Sequence, residues 1–399
     1  WFGIPASLDM DPYVYVRDHG VEEEATAKTI GGKHVRNGGT GFWRSGPAAP
    51  SFKHEEVLPR ITEEAVGILQ QQKENQPFFL YLPFSAPHTP WLPTEEFRNT
   101  TGAGTYGDFV AQVDHSIQRI LQTLDQENLT ENTLVIFTSD NGAHWTPQEI
   151  ETYQHRANLH LRGQKADIWE GGHRVPFIVR WPKHIAPNST SDSLIGLQDI
   201  FKTIADLNNQ TPNISQTNQV KQAEDSISFL PQLLGETNPD PRQSLVHHSG
   251  AGMFALRSGK WKLINGLSSG GFTKPQVGLA QIATPEVNQA AGQLYDLEND
   301  PAEKQNLWLE HPQKVKALQE QLQQIRRGEE NISYRGLHAD NKTIWASGTN
   351  GNIRRSLDAG QTWTDCSIIQ GEGLDFRDIE GLGPNTAIAM SAGPGNASR

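Results

Sequence analysis

Thr133-Leu134-Val135-Ile136-Phe137-Thr138-Ser139-Asp140-Asn141-Gly142 is the stretch that decides the fold. An unbroken apolar and β-branched run enters a polar turn without any alternation. Such a run reads as a strand buried on both faces, the habit of parallel sheets covered by helices. Phe78-Phe79-Leu80-Tyr81-Leu82 and Pro176-Phe177-Ile178-Val179-Arg180-Trp181 have the same character. Helical spacing lies between them. Ile61, Ala65, Ile68 and Leu69 share one face of a helix over 59–72, and Phe109, Val113, Ile117, Ile120, Leu121 and Leu124 one face of a helix over 108–125. A further helix is read over 195–207. Strand and helix alternate, so the expectation is an α/β domain with a mainly parallel sheet flanked by helices. Residues 1–60, rich in Gly and Pro, read as a loop-built rim.

The texture changes twice toward the C-terminus. Phe254-Ala255-Leu256-Arg257, Trp261-Lys262-Leu263-Ile264 and Leu294-Tyr295-Asp296-Leu297 read as antiparallel strands, closed by a helix over 311–327. They make 253–327 a small antiparallel α+β part of a domain over 1–327. Residues 334–399 then alternate short β-like runs with Gly, Asn and Asp turns, the mark of an all-β segment.

With 399 residues the chain fits two domains. A net charge of -12 argues against nucleic acid as a partner, which calls for a basic face. It leaves room for an anionic substrate, because a bound cation inverts the local field. No run of eighteen apolar residues occurs, so no membrane-spanning segment is expected. Cys366 is the single cysteine and has no partner for an internal disulfide. Asn-x-Ser/Thr triplets, at Asn99 and Asn213 for example, are common by chance and decide nothing.

Three clusters carry chemistry. Ser139-Asp140-Asn141-Gly142 stands at the carboxyl end of a strand, where open α/β sheets gather ligands. Asp140 and Asn141 offer hard oxygen donors suited to Ca²⁺ or Mg²⁺. The same residues also make good turn chemistry. Ser85-Ala86-Pro87-His88-Thr89-Pro90 follows another apolar run, and an imidazole held between prolines can donate a proton or bind an anionic oxygen. A surface histidine is the plainer reading. Arg162-Gly163-Gln164-Lys165, followed by Trp169-Glu170-Gly171-Gly172-His173-Arg174, offers a compact cation and glycines that admit an anion to backbone N–H groups. If one sheet gathers these strand ends, they supply the parts for metal-assisted cleavage of an anionic ester.

At these positions the chain resembles the sulfatase family, arylsulfatase-like members of the alkaline-phosphatase-like superfamily. The resemblance runs in order through Phe2-Gly3-Ile4-Pro5-Ala6-Ser7-Leu8-Asp9-Met10, Ala86-Pro87-His88-Thr89-Pro90, Ser139-Asp140-Asn141-Gly142, Gly163-Gln164-Lys165 with Trp169-Glu170-Gly171-Gly172, and Leu294-Tyr295-Asp296-Leu297-Glu298-Asn299-Asp300-Pro301. It implies a sulfuric ester hydrolase acting on a sulfated small molecule or sulfated glycan, and a periplasmic or secreted location. It implies that Asp140 and Asn141 bind Ca²⁺, that His88 contacts the ester and helps protonate the leaving alkoxide, and that Lys165 binds sulfate oxygens. Asp114, on the apolar stripe of its helix, is a candidate for supporting the site or for a structural hydrogen bond.

The family's formylglycine arises from Cys or Ser in a Cys/Ser-x-Pro-Ser/Ala-x-x-Arg motif, and no such motif stands here; Cys366 is followed by Ser367-Ile368-Ile369. The family's Asp-Asp metal pair and Gly-Lys-x-His segment are missing as well. The expectation is a domain lacking its N-terminal nucleophile region, with weak Ca²⁺ binding and no activity as an isolated chain. A phosphoester or phosphonate hydrolase, or a non-catalytic binding protein on the same scaffold, are the alternatives. The tail has its own resemblance: Ser356-Leu357-Asp358-Ala359-Gly360-Gln361-Thr362-Trp363 is similar to the Asp-box hairpin of β-propellers. It implies a partial propeller-like segment over 334–399, with Ile344-Trp345-Ala346-Ser347-Gly348 and Leu374-Asp375-Phe376-Arg377-Asp378-Ile379 in neighbouring strands.

Overall fold

Two helices and a pair of short strands organise the first of two units, which comprises 1–137, 147–156 and 178–183. The computed structural model describes the chain except for residues 74–75, 210–224, 238–240, 275–289, 328–333, 349–350, 368–375 and 392–399. Asn213, Leu374 and Asp375 fall outside the described residues. The rim is built of short pieces: β1 (Phe2–Gly3), β2 (Val16–Arg17) and β3 (Gly20–Val21) form one antiparallel sheet, β4 (Ala27–Thr29) and β5 (Gly46–Ala48) another. Helix α1 (Val57–Gln70) buries Val57, Leu58, Ile61, Ala65 and Leu69; α2 (Gly104–Gln126) buries Phe109, Val113 and Leu124. Leu69 and Leu124 meet in one cluster with Leu129, and Phe78, Leu80 and Val135 pack against it. β6 (Val135–Thr138) pairs with β7 (Phe177–Arg180), and α3 (Pro147–Tyr153) follows β6.

One expectation needs correction here. Phe78-Phe79-Leu80-Tyr81-Leu82 forms no strand. Its even members pack inward, but Phe79 and Tyr81 are 75% and 77% exposed. The segment half-buries only alternate side chains and pairs with no strand among the described residues. Among the described residues β6 and β7 form a two-stranded pair, and the four-stranded sheets are antiparallel.

The second unit comprises 138–146, 157–177 and 184–399. It contains the short helical turn α4 (Glu170–His173), α5 (Asp199–Leu207) and α6 (Leu230–Leu233). β8 (Ser244–His248), β9 (Phe254–Ser258), β10 (Trp261–Ile264) and β11 (Gln293–Asp296) form an antiparallel sheet in the order β11-β10-β9-β8. The register sets Leu263 opposite both Leu256 and Leu294. Helix α7 (Pro312–Arg327) lays Val315, Leu318 and Leu322 on that leucine row. One-sided apolar spacing on α7 and opposed leucines in the sheet thus explain each other.

In the tail, β12 (Tyr334–Asp340), β13 (Thr343–Gly348), β14 (Ile353–Ser356) and β15 (Thr364–Asp365) form one antiparallel sheet, and β16 (Phe376–Gly383) pairs with β17 (Thr386–Ser391). Trp345, Ile353, Phe376 and Ile379 make their common core. The turn after β14 is tied by Asp358, whose carboxylate accepts from Ser356 Oγ at 2.7 Å, Thr362 N at 2.8 Å and Thr362 Oγ1 at 2.5 Å. Those bonds, Thr362's foremost, hold the Asp358 carboxyl down to about 2. The indole N–H of Trp363 closes the turn on the Gly360 carbonyl at 3.0 Å. Cys366 is half-buried, and its backbone N–H donates to the Ile353 carbonyl at 2.8 Å.

Candidate active site

His88 belongs to the first unit. Its Nδ1 lies 2.9 Å from the Thr89 carbonyl, which can only accept, so Nδ1 carries the hydrogen. That leaves Nε2, on a ring 40% exposed, free to take or give a proton. Asp9 stands behind the ring, its Oδ1 3.9 Å from Nδ1. Asp9 is buried and accepts from Ser7 Oγ at 2.6 Å and Arg44 Nη1 at 3.1 Å. The Tyr13 hydroxyl fixes the backbone beneath by donating to the Asp9 and Arg44 carbonyls at 3.1 and 2.8 Å. Burial, above all, pushes the Tyr13 phenol up from its ordinary value, so it stays a donor. This Asp9–Arg44 pair was not singled out as a site in the sequence. Its one legible signal is an acid set within Ser-Leu-Asp-Met of the family-like opening.

The rim's Trp43 and Phe42 contact other residues of the rim. Trp43 donates its indole N–H to the Ile30 carbonyl and stacks on His54 at 4.6 Å, so it serves the rim's own structure. Phe42 is exposed beneath the Arg44 guanidinium. Asp114 is exposed and lies beside the buried stripe of α2 rather than on it. The acid that α2 buries is Asp108, which takes the backbone N–H groups of Asn99 and Thr101.

Asp140, Asn141 and Lys165 belong to the second unit, where two loops are knotted through their backbones. Lys165 N donates to Ala143 O at 3.2 Å, and Gly142 N to Gly172 O at 3.1 Å. Asn158 bridges them, accepting from Ala143 N at 2.8 Å and donating to Ala143 O and Gly163 O at 2.9 and 3.3 Å. The approach is so close that a Cβ on Gly142 would sit 1.8 Å from the Gly171 carbonyl oxygen. Glycine is required there for lack of room. The Lys165 loop turns through left-handed backbone at Gly163 (φ 85°) and Ala166 (φ 71°). Asp167, fully buried, clamps it by accepting from Gln164 N at 2.9 Å and Thr273 N at 3.0 Å. The structure therefore brings Lys165 onto the same backbone knot as Asp140 and Asn141.

The donors suit calcium in kind. Asn141 turns its amide N–H to the Gly142 carbonyl, which leaves Oδ1 available, and Asp140 is exposed. They do not suit it in number. Among the described residues no group of three or more His, Cys, Asp or Glu gathers that could hold a metal, and Ca²⁺ takes six to eight oxygens.

The described residues mix helices and sheets, and in the second unit a lysine loop is knotted by backbone hydrogen bonds to an Asp-Asn turn. Comparison with known proteins makes this specific. The sulfatase family profile matches residues 34–209. The N-acetylgalactosamine-6-O-sulfatase of Bacteroides thetaiotaomicron is 35% identical over 296 residues, 71% of this chain and 54% of that protein. An arylsulfatase of Hemicentrotus pulcherrimus is 32% identical over 211 residues, 53% of this chain and 36% of that protein. A solved structure from the glycosaminoglycan-metabolising locus of Bacteroides thetaiotaomicron aligns with a TM-score of 0.66 at 30% identity, covering 81% of this chain and 72% of that one. The chain belongs to the sulfatase family. It spans about half the length, or less, of these two curated relatives.

Proposed function

We propose that this chain carries part of the active site of a sulfuric ester hydrolase whose substrate is a 6-O-sulfated amino sugar within a glycan. The substrate class is supported by the 35%-identical relative, an N-acetylgalactosamine-6-O-sulfatase. The reading is carried by one observation: Lys165 sits on the backbone knot that also presents Asp140 and Asn141. Lys165 supplies positive charge to sulfate oxygens, and a fixed cation is worth most where charge grows in the transition state. His88, its Nδ1–H committed to the Thr89 carbonyl, offers Nε2 for proton transfer to the leaving alkoxide. Asp140 and Asn141 would be two of the oxygen ligands of a calcium ion, which would supply Lewis-acid chemistry there.

The test is turnover by the protein that contains this chain. N-acetylgalactosamine-6-sulfate, an aryl sulfate and an aryl phosphate are assayed beside the Lys165→Ala and His88→Ala variants. The expected result is sulfate release from the sugar, little phosphate release, and a loss of about 10²-fold or more in kcat for each variant. Preference for the phosphate, or variants as active as the parent, would overturn the assignment.

A further inference from the structure

We infer that Lys262, on β10 of the second unit, is a positioning residue for the loops that bear Lys165 and Asp140-Asn141, acting through the Glu170 turn; the inference rests on the functional reading above. Lys262 is wholly unexposed, between the sheet and α4. Its ammonium lies 2.9 Å from Glu170 Oε1 and 2.9 Å from Glu303 Oε1. Glu303 Oε2 in turn accepts the Glu170 backbone N–H at 2.7 Å. Glu303 holds a left-handed backbone, φ 53°, an uncommon conformation for a residue with a side chain. Arg162 is fixed to the same place, donating to the Glu303 carbonyl at 2.8 Å and to the Tyr295 hydroxyl at 3.0 Å.

A lone stabilising role is a weak reason for such an ammonium. An apolar side chain of similar volume in a core commonly does as well as a buried ion pair. What the charge adds is direction, because it draws two carboxylates from segments 133 residues apart onto one point. From that point the path to the site is backbone alone. Gly171 N donates to Arg162 O at 2.7 Å, Gly172 O receives Gly142 N, and Ala143 O receives Lys165 N. Gly171 has no slack, since a Cβ there would lie 2.4 Å from the Gly163 carbonyl oxygen. Displacement of Glu170 must therefore move both loops. The two acids are unequal. Burial opposes ionisation of both, yet Lys262, helped by Arg257, holds Glu170 below its ordinary value, whereas Glu303 is pushed up.

The test is site-resolved hydrogen exchange on Lys262→Met, with kinetics on the protein that contains this chain. The amides of Gly142, Lys165 and Gly171 should exchange about tenfold faster or more, while those of Leu256 and Leu263 in the β9–β10 ladder stay within about twofold. Turnover should lose about tenfold or more in kcat with KM within about threefold, the mark of a misplaced group rather than lost substrate binding. If the Met variant does not fold, Glu303→Gln, which leaves the Lys262–Glu170 pair in place, is measured instead. The same three amides should then quicken by a smaller factor. Unchanged loop amides, or loop and sheet amides quickening together, would overturn the inference whatever the activity. Selective loop exchange in a parent protein that releases no sulfate would instead sink the functional reading and leave the coupling of the loops standing.

Discussion

Lowering the pH from 7 to 5 should weaken the second unit by about 2 kcal/mol through His173 alone. This ring is largely buried beside His247, their centroids 4.3 Å apart. Burial first, then the Lys262 ammonium, depress its pKa to about 4 from an ordinary 6.5; Glu170 and the Asp167 backbone pull the other way and His248 adds to the depression. In the unfolded chain the ring binds its proton near pH 6.5, so between that value and about 4 the unfolded state holds more protons. Stability is therefore fully present above the unfolded value and drains as the pH falls toward 4. A shift of about two and a half units amounts to roughly 3 kcal/mol once both forms are protonated, of which about 2 are lost by pH 5. His247, more deeply buried and also depressed, acts in the same direction. The measurement is urea unfolding at pH 7, 6 and 5, followed by the fluorescence of Trp169, which packs in the adjacent core. His173→Gln removes one titration and should flatten the pH dependence by about 2 kcal/mol over that range. A variant whose stability falls with pH as steeply as the parent's would refute the assignment of this loss to a buried neutral histidine.

Three further outcomes follow from the same packing. Gly142→Ala forces a methyl onto the Gly171 carbonyl and should cost about 3 kcal/mol, since the loops must part and give up one or two backbone bonds; an unfolding midpoint shifted by less than about 1 kcal/mol would mean the knot is loose. Arg242→Met strands Asp199, a buried carboxylate that the guanidinium grips at both oxygens; a loss of about 3–5 kcal/mol is expected in denaturant, and a loss below about 1 would show that Asp199 finds its partners elsewhere. Asp358→Ala removes the acceptor for Ser356 and Thr362, so limited proteolysis should open the 353–366 hairpin first while β8–β11 stays intact; simultaneous cleavage of both would contradict a local role.

The parts legible in the sequence are those whose cause is local. Helices α1, α2, α5 and α7 stand where apolar spacing placed them, because a helix face is written in neighbouring residues. Strands β9, β10 and β11 follow from short runs closed by turn residues. The run at Phe78–Leu82 misled for a physical reason: a continuous apolar stretch says that both faces tolerate burial, not that both are covered or that a ladder partner is present. Phe78 and Leu80 found their helices, while Phe79 and Tyr81 remain in solvent. The candidate residues divide along the same line. Asp140, Asn141, Lys165 and His88 could be named from motifs, because the chemistry of each is carried by its own side chain. Asp9 with Arg44, and Lys262 with Glu170 and Glu303, could not be paired from sequence. Each charge looks like a solvated surface residue until the fold brings its partner from 35, 92 or 41 positions away. A motif thus names the groups that meet a ligand, whereas the groups that aim them are set by contacts of long sequence separation. For this chain, therefore, the sharper test of the proposed site lies in Lys262 and Gly142, residues whose importance can be derived only from packing.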